Sequence, residues 1–191
     1  MKKLLNKKKK RAVFLDRDGL INKKPAEHDY IKNWKEFKFL PNVAKAIRQL
    51  NKDFLVIVIS NQRGVGRGIM SKEDVVDIHN RMRKALEKQN ATIDGVYFCP
   101  HNIEDNCNCR KPKPGLLLKA ARDFKIDLPK SYMIGDDLSD VEAGKKVGLK
   151  TILIIKQKSN IFQKIKKERR PDYIFPDLLE AVKMIEKKFK N

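Results

Sequence analysis

The sequence predicts an α/β fold: a three-layer sandwich with a parallel, Rossmann-like sheet as its middle layer. Three observations carry this. Short apolar, β-branched runs alternate with helical stretches along the 191 residues. The run 54–59, Phe-Leu-Val-Ile-Val-Ile, is apolar throughout, as a strand covered on both faces must be. Asp16, Ser60, Cys99 and Asp136 close four of these runs, and open α/β sheets gather their sites at the carboxyl ends of strands.

Taken in order, residues 1–10 read as a flexible basic tail, and 11–191 as one domain with a single sizeable core. The first strand covers 12–16. A polar stretch from 22 to 38, with Pro25, His28, Asp29, Tyr30 and Trp34, has no period and reads as a loop beside the first carboxylates. Pro41 opens a helix whose buried stripe is Val43, Ala46, Ile47 and Leu50. The second strand is 54–59. Ser71, with Asp74 three residues later, caps a helix that runs to about residue 89. A third strand falls at 96–98, and a helix at 114–124 turns Leu116, Leu117, Ala120 and Ala121 inward. Strands at 132–134, 151–155 and 173–175 and a closing helix at 177–189 complete the pattern. No repeat appears, and no insertion is large enough for a separate cap domain.

Composition, 41% hydrophobic and 36% charged, is that of a soluble globular protein. No apolar run approaches the roughly 20 residues a membrane helix needs. The lysine-rich start has no apolar segment of the signal-peptide kind, so a cytoplasmic location is expected. The net charge of +20, from 44 Lys+Arg against 24 Asp+Glu, admits two readings. Clustered cations bind nucleic acid or membrane surfaces by releasing counterions. Scattered ones reflect composition and attract a doubly phosphorylated substrate. Dense runs occur only at 7–10 and 164–170, without the interleaved aromatics that stack bases, which favours the second reading. A monomer without a nucleic-acid or membrane partner is therefore expected.

The chemistry begins at Asp16-Arg17-Asp18-Gly19. Two carboxylates two residues apart, ending a strand and entering a turn, can supply a nucleophile and a proton carrier and together hold a divalent cation. Asp136, with Asp16 and the Asp18 backbone carbonyl, completes a hard-oxygen set suited to Mg²⁺. Asp137 and Asp140 read as supporting groups, and Asp140 equally as a first-turn helix acid. Ser60 and Asn61, with amides of the glycine-rich run 63–68, are placed to cradle a phosphoryl group. Lys111 adds a point charge to the same oxygens, while Arg110 and Arg67 suit a second phosphate or hydroxyls. Gln62 and Asp137 join the candidate substrate-binding set.

Cys99, His101, Cys107 and Cys109 form a C-x-H-x5-C-x-C pattern within eleven residues. Three thiolates and an imidazole satisfy tetrahedral Zn²⁺ and leave no open position, which makes such a site structural. His79 reads as a solvated or partly buried helical histidine, and His28 as a possible substrate contact.

The four ordered segments resemble the haloacid dehalogenase (HAD) superfamily of aspartate-nucleophile phosphatases. That resemblance implies an aspartyl-phosphate on Asp16, acid–base work by Asp18, phosphoryl stabilisation by Ser60 and Lys111, and substrate recognition by Arg110. The zinc loop and the run 110–117 look like the D-glycero-D-manno-heptose 1,7-bisphosphate 7-phosphatase group, with its minimal cap. The implied reaction is Mg²⁺-dependent removal of the 7-phosphate from a phosphorylated sugar. Histidinol-phosphate phosphatase is the alternative, and a nucleic-acid-binding or 3′-phosphate end-processing protein a more distant one. Two departures stand out: Leu20 replaces the usual threonine, and 23–30 is long and charged.

Overall fold

The structure, a computed structural model, describes residues 9–26, 29–155 and 165–190. Six strands form one sheet: β1 (Ala12–Leu15), β2 (Leu55–Asn61), β3 (Gly95–Cys99), β4 (Tyr132–Gly135), β5 (Lys150–Ile154) and β6 (Tyr173–Phe175). Their spatial order is β3-β2-β1-β4-β5-β6, and every pairing is parallel. The chain winds outward from β1 in both directions. The order reverses between β1 and β4, which opens a crevice at their carboxyl ends.

Alternation along each strand fixes which helices cover which face. Val13 and Leu15 of β1 face a core shared with α1 (Val43–Leu50), α3 (Lys72–Glu87) and α6 (Leu178–Lys190). Ala12 and Phe14 face the opposite core, with α4 (Gly115–Phe124) and α5 (Leu138–Lys145). Phe14 is fully buried opposite Ile57 and Met133, so Phe14→Ala would cost about 3–5 kcal/mol. A single turn, α2 (Arg63–Gly66), follows β2.

Several expected boundaries move. β2 runs on through Ser60 and Asn61 because these residues pair with Phe98 and Cys99. Pro41 lies before the helix rather than in its first turn, since Asn42 takes a left-handed conformation (φ 61°) ahead of Val43. Lys10 is no tail residue: its amide donates to the Lys125 carbonyl at 3.0 Å and its carbonyl accepts from Asp127 at 2.7 Å. Of the tail expected at 1–10, residues 1–8 lie outside the described residues, as does His28. The polar stretch is a closed loop whose ends meet through Leu40 N–H to Ile21 O (2.9 Å), with Trp34 stacked on Phe37 at 5.0 Å. Among the described residues no helix is long and apolar enough to cross a membrane.

Candidate active site

At the β1/β4 crevice the Asp16 amide donates to Ile134 O (3.0 Å), continuing the ladder and fixing where its side chain emerges. The chain then turns through Gly19, whose φ of 91° suits glycine. A Cβ there would collide with the Asp136 carboxylate, and one at Gly135 with that of Asp140. Both glycines therefore make room for an acid.

Lys111 reaches this point from the loop after β3 and is 4% exposed. Its Nζ stands 2.8 Å from Asp16 Oδ1 and 2.5 Å from Asp140 Oδ1, and it donates to Ile59 O at 3.0 Å. Asn61 grips the lysine's backbone from both sides: Oδ1 accepts from Lys111 N–H (3.0 Å) and Nδ2 donates to Lys111 O (3.1 Å). Asp140 also stays in its helix-start role, its Oδ2 accepting from Asp137 N–H at 3.2 Å.

Asp16, Asp136 and Asp140 bring carboxylate oxygens within 4.8 Å of one another, and the buried Lys111 pairs with two of the three, Asp16 and Asp140. Burial pushes Asp16 upward against the pull of Lys111, with Asp136 and Asp18 adding to the rise. Asp140 is pushed up to about 7, by burial first and by Asp16 next to it, despite Lys111. Lys111 is held above its ordinary range because Asp140 and Asp16 outweigh the cost of burial. Asp136 Oδ1 is buried without a hydrogen-bond partner, while Oδ2 meets Lys24 Nζ at 2.7 Å. Surplus negative charge and an unpartnered carboxylate oxygen fit a hard divalent cation.

Asp18 is treated differently. Arg17 forks onto it through Nε (3.1 Å) and Nη2 (2.9 Å), and Asn22 and Gln62 each donate at 2.9 Å. Burial works to raise its pKa, but the Arg17 charge and these donors prevail and hold it below the usual carboxylate value.

A cleft of about 270 Å³ collects Asp16, Asp18, Ser60, Asn61, Arg110, Lys111, Asp136 and Asp137. Lys24 and Ser139 also line it, and neither was legible, since nothing distinguishes Lys24 within a lysine-rich, aperiodic stretch. Arg110 turns toward the cleft with Nη1 buried and unpartnered. A larger cavity of about 650 Å³ lies beside Arg11 and Phe54 at the other end of the strands, away from these groups.

Three expectations need correction. Gln62 is buried and spends its amide on Asp18 and on Ser60 Oγ (2.7 Å), so it does not line the cleft. Arg67 is exposed and points to the Tyr30 hydroxyl at 3.5 Å. The run 63–68 is a helical turn rather than a phosphate cradle: the amides of Val65, Arg67 and Gly68 donate within the turn at 2.9–3.2 Å.

The thiols gather at the end of β3. Cys99 Sγ lies 3.5 Å from Cys107 Sγ and 3.1 Å from Cys109 Sγ, and His101 Nδ1 is 3.2 Å from Cys109 and 3.6 Å from Cys99. Tetrahedral zinc with bonds of about 2.3 Å has edges of about 3.8 Å, near these separations.

The sequence model of the HAD-hydrolase-like family matches residues 108–181. With Asp16, Lys111 and Asp136 converging at the switch point of a parallel sheet, this makes the protein a phosphoric monoester hydrolase of the HAD class. The D-glycero-β-D-manno-heptose-1,7-bisphosphate 7-phosphatase of Pasteurella multocida is 33% identical over 92% of this chain and 97% of its own. The D-glycero-α-D-manno-heptose-1,7-bisphosphate 7-phosphatase of Mycobacterium bovis is 42% identical over 71% of this chain and 72% of its own. The D,D-heptose 1,7-bisphosphate phosphatase of B. bronchiseptica, crystallised with magnesium and phosphate, superimposes with a TM-score of 0.81. It shares 29% identity and covers 93% of this chain and 99% of its own. The chain belongs to the D-glycero-D-manno-heptose-1,7-bisphosphate 7-phosphatase family.

Proposed function

We propose that this protein removes the 7-phosphate of D-glycero-D-manno-heptose 1,7-bisphosphate with Asp16 as the nucleophile. The observation that carries the reading is the buried Lys111 paired with Asp16 in a cleft that Asp136 and Arg110 also line. Mg²⁺ would be held by Asp16, the Asp18 backbone carbonyl and Asp136, and when bound it neutralises charge between carboxylate and phosphate.

An Asp16 oxygen attacks phosphorus, the bond to the sugar O7 breaks, and Asp18 gives its proton to the leaving oxygen. Asp18 then takes a proton from water, whose oxygen attacks phosphorus and releases Asp16 and inorganic phosphate. The donors around Asp18 keep it ionised in the free protein, the form that the second half needs. The incoming phosphate is the like charge that favours its protonation for the first half. Ser60 and Lys111 hold the transferred group. Arg110, with its unpaired Nη1, takes the 1-phosphate, and Asp137 takes sugar hydroxyls. Asn61 and Gln62 act indirectly, by fixing Lys111 and Asp18.

Cys99, His101, Cys107 and Cys109 would hold a structural Zn²⁺ beside Arg110. We further infer a cytoplasmic monomer whose heptose 1-phosphate product is activated with a nucleotide for lipopolysaccharide or other surface glycans.

The test is Mg²⁺-dependent phosphate release from both heptose bisphosphate anomers, histidinol phosphate, fructose 1,6-bisphosphate and a 3′-phosphorylated oligonucleotide. Preference for one heptose anomer, lost in Asp16→Asn, is the expected result. Equal turnover of histidinol phosphate would move the assignment to that substrate.

A further inference from the structure

We propose that His79 is a positioning residue for Asp18, acting through Arg17, whose guanidinium it orients. The inference rests on the phosphatase reading above and assigns part of its machinery to a helix that never touches the cleft.

Arg17 is completely buried. A buried guanidinium has five N–H donors to satisfy, and its direction is set by whichever acceptors surround it. Here Nε and Nη2 face Asp18 at 2.9–3.1 Å, and Nη1 faces His79 Nε2 at 3.1 Å. Nε2 must be the acceptor, because Arg17 can only donate. The ring proton then sits on Nδ1.

A second cation 3.1 Å from Arg17 would be repelled. Burial and the Arg17 charge push the His79 pKa down to about 3, so the ring remains neutral across the working range. The ring plane is fixed in turn. Phe98 of β3 meets it edge-on at 5.6 Å, and α3 is anchored by the reciprocal Ser71–Asp74 cap. The chain of contacts therefore runs from the sheet and α3 through His79 to Arg17, and from Arg17 to the proton-carrying carboxylate. Gln62 and Asn22 complete the hold on Asp18, but only Arg17 grips both of its oxygens.

The test compares wild type with His79→Leu, which fills the space without an acceptor, and His79→Gln, whose Oε1 can accept. Met82→Ala, at a buried residue about one turn further along the same helix, is the control for lost packing. With heptose bisphosphate and saturating Mg²⁺, His79→Leu should lower kcat at least ~10-fold and leave KM within about twofold, a part of what acid–base catalysis supplies. His79→Gln should recover most of the loss. Met82→Ala should lower the melting temperature without lowering kcat.

A second readout needs no substrate: NMR of the Arg17 Nε–H, which should exchange slowly in wild type and His79→Gln and faster in His79→Leu. Wild-type kcat in His79→Leu, or equal kcat losses in His79→Leu and Met82→Ala, would overturn the proposal. Should wild type not hydrolyse the bisphosphate at all, the functional reading fails. The exchange rates then decide alone, and unchanged exchange in His79→Leu rejects the role of His79.

Discussion

The carboxylate cleft and the thiol loop are both candidate metal centres, yet they are built in opposite ways. The cleft draws Asp16, Ser60, Lys111 and Asp136 from four distant segments, and the sheet places each of them. Lys111 already offsets part of the charge there, so the arrangement has a partner before any ion enters. The thiol loop draws all four groups from residues 99–109, with only Cys99 in a strand. Most of that loop is polar and half-buried or exposed, and its three thiols are the groups that meet the core beneath α4. One centre is organised by the fold; the other is organised by its ligand set.

The contrast can be broken from either side, and the largest effects lie in the cleft. Asp16→Asn should abolish phosphate release, at least ~10³-fold, with the melting temperature kept or raised as one buried negative charge is lost. Lys111→Met should also remove activity, at least ~100-fold. It leaves Asp16 and Asp140 facing each other uncompensated, so a loss of about 3–5 kcal/mol in urea unfolding is expected without Mg²⁺. If Lys111→Met kept full stability, the cleft would not be organised in the way described.

The thiol loop should respond differently. Cys109→Ser, or removal of bound zinc by a strong chelator, should lower the melting temperature by several degrees and raise KM more than it lowers kcat. Zinc content by atomic absorption, near one per chain in wild type and far lower in the variant, checks the ligand set.

Acid should act through a third place. The His79 pKa lies at about 3 against an ordinary 6.5, so an unfolded chain binds its proton first as pH falls. The contribution is complete above about pH 6.5 and is lost towards pH 3, at a slope approaching ~1.4 kcal/mol per pH unit. Urea midpoints between pH 7.5 and 4.5 should therefore fall less steeply in His79→Gln. The smallest effect is at Lys24, whose side chain is largely exposed. Lys24→Met should tighten Mg²⁺ binding by about two- to fivefold in calorimetry, since it frees Asp136 Oδ2.

Much of this was legible because burial on both faces leaves a plain mark: the apolar runs in β1, β2 and β4 located the sheet, and the acids at their ends located the cleft. The thiol spacing was legible for the same reason, being local. Gln62 was assigned to substrate because a strand-end amide looks the same whether it faces solvent or Asp18. Arg67 and the glycines around it resembled a phosphate loop, whereas hydrogen bonding closes them into a turn. Lys24, and the pairing of Arg17 with His79 across 62 positions, depend on tertiary approach and leave no local pattern.

The double grip of Asn61 on Lys111 has a mechanical consequence. Lys111 is pinned to β2 through its backbone and through Ile59 O, although Cys109, two residues earlier, belongs to the thiol loop. Arg110, one residue earlier, has a guanidinium nitrogen with no hydrogen bond. The two side chains of a single dipeptide are thus held differently, one pinned and the other left with an unpaired donor. On the roles proposed above, loosening the thiol loop should disturb the choice of substrate through Arg110 before it lowers turnover through Lys111.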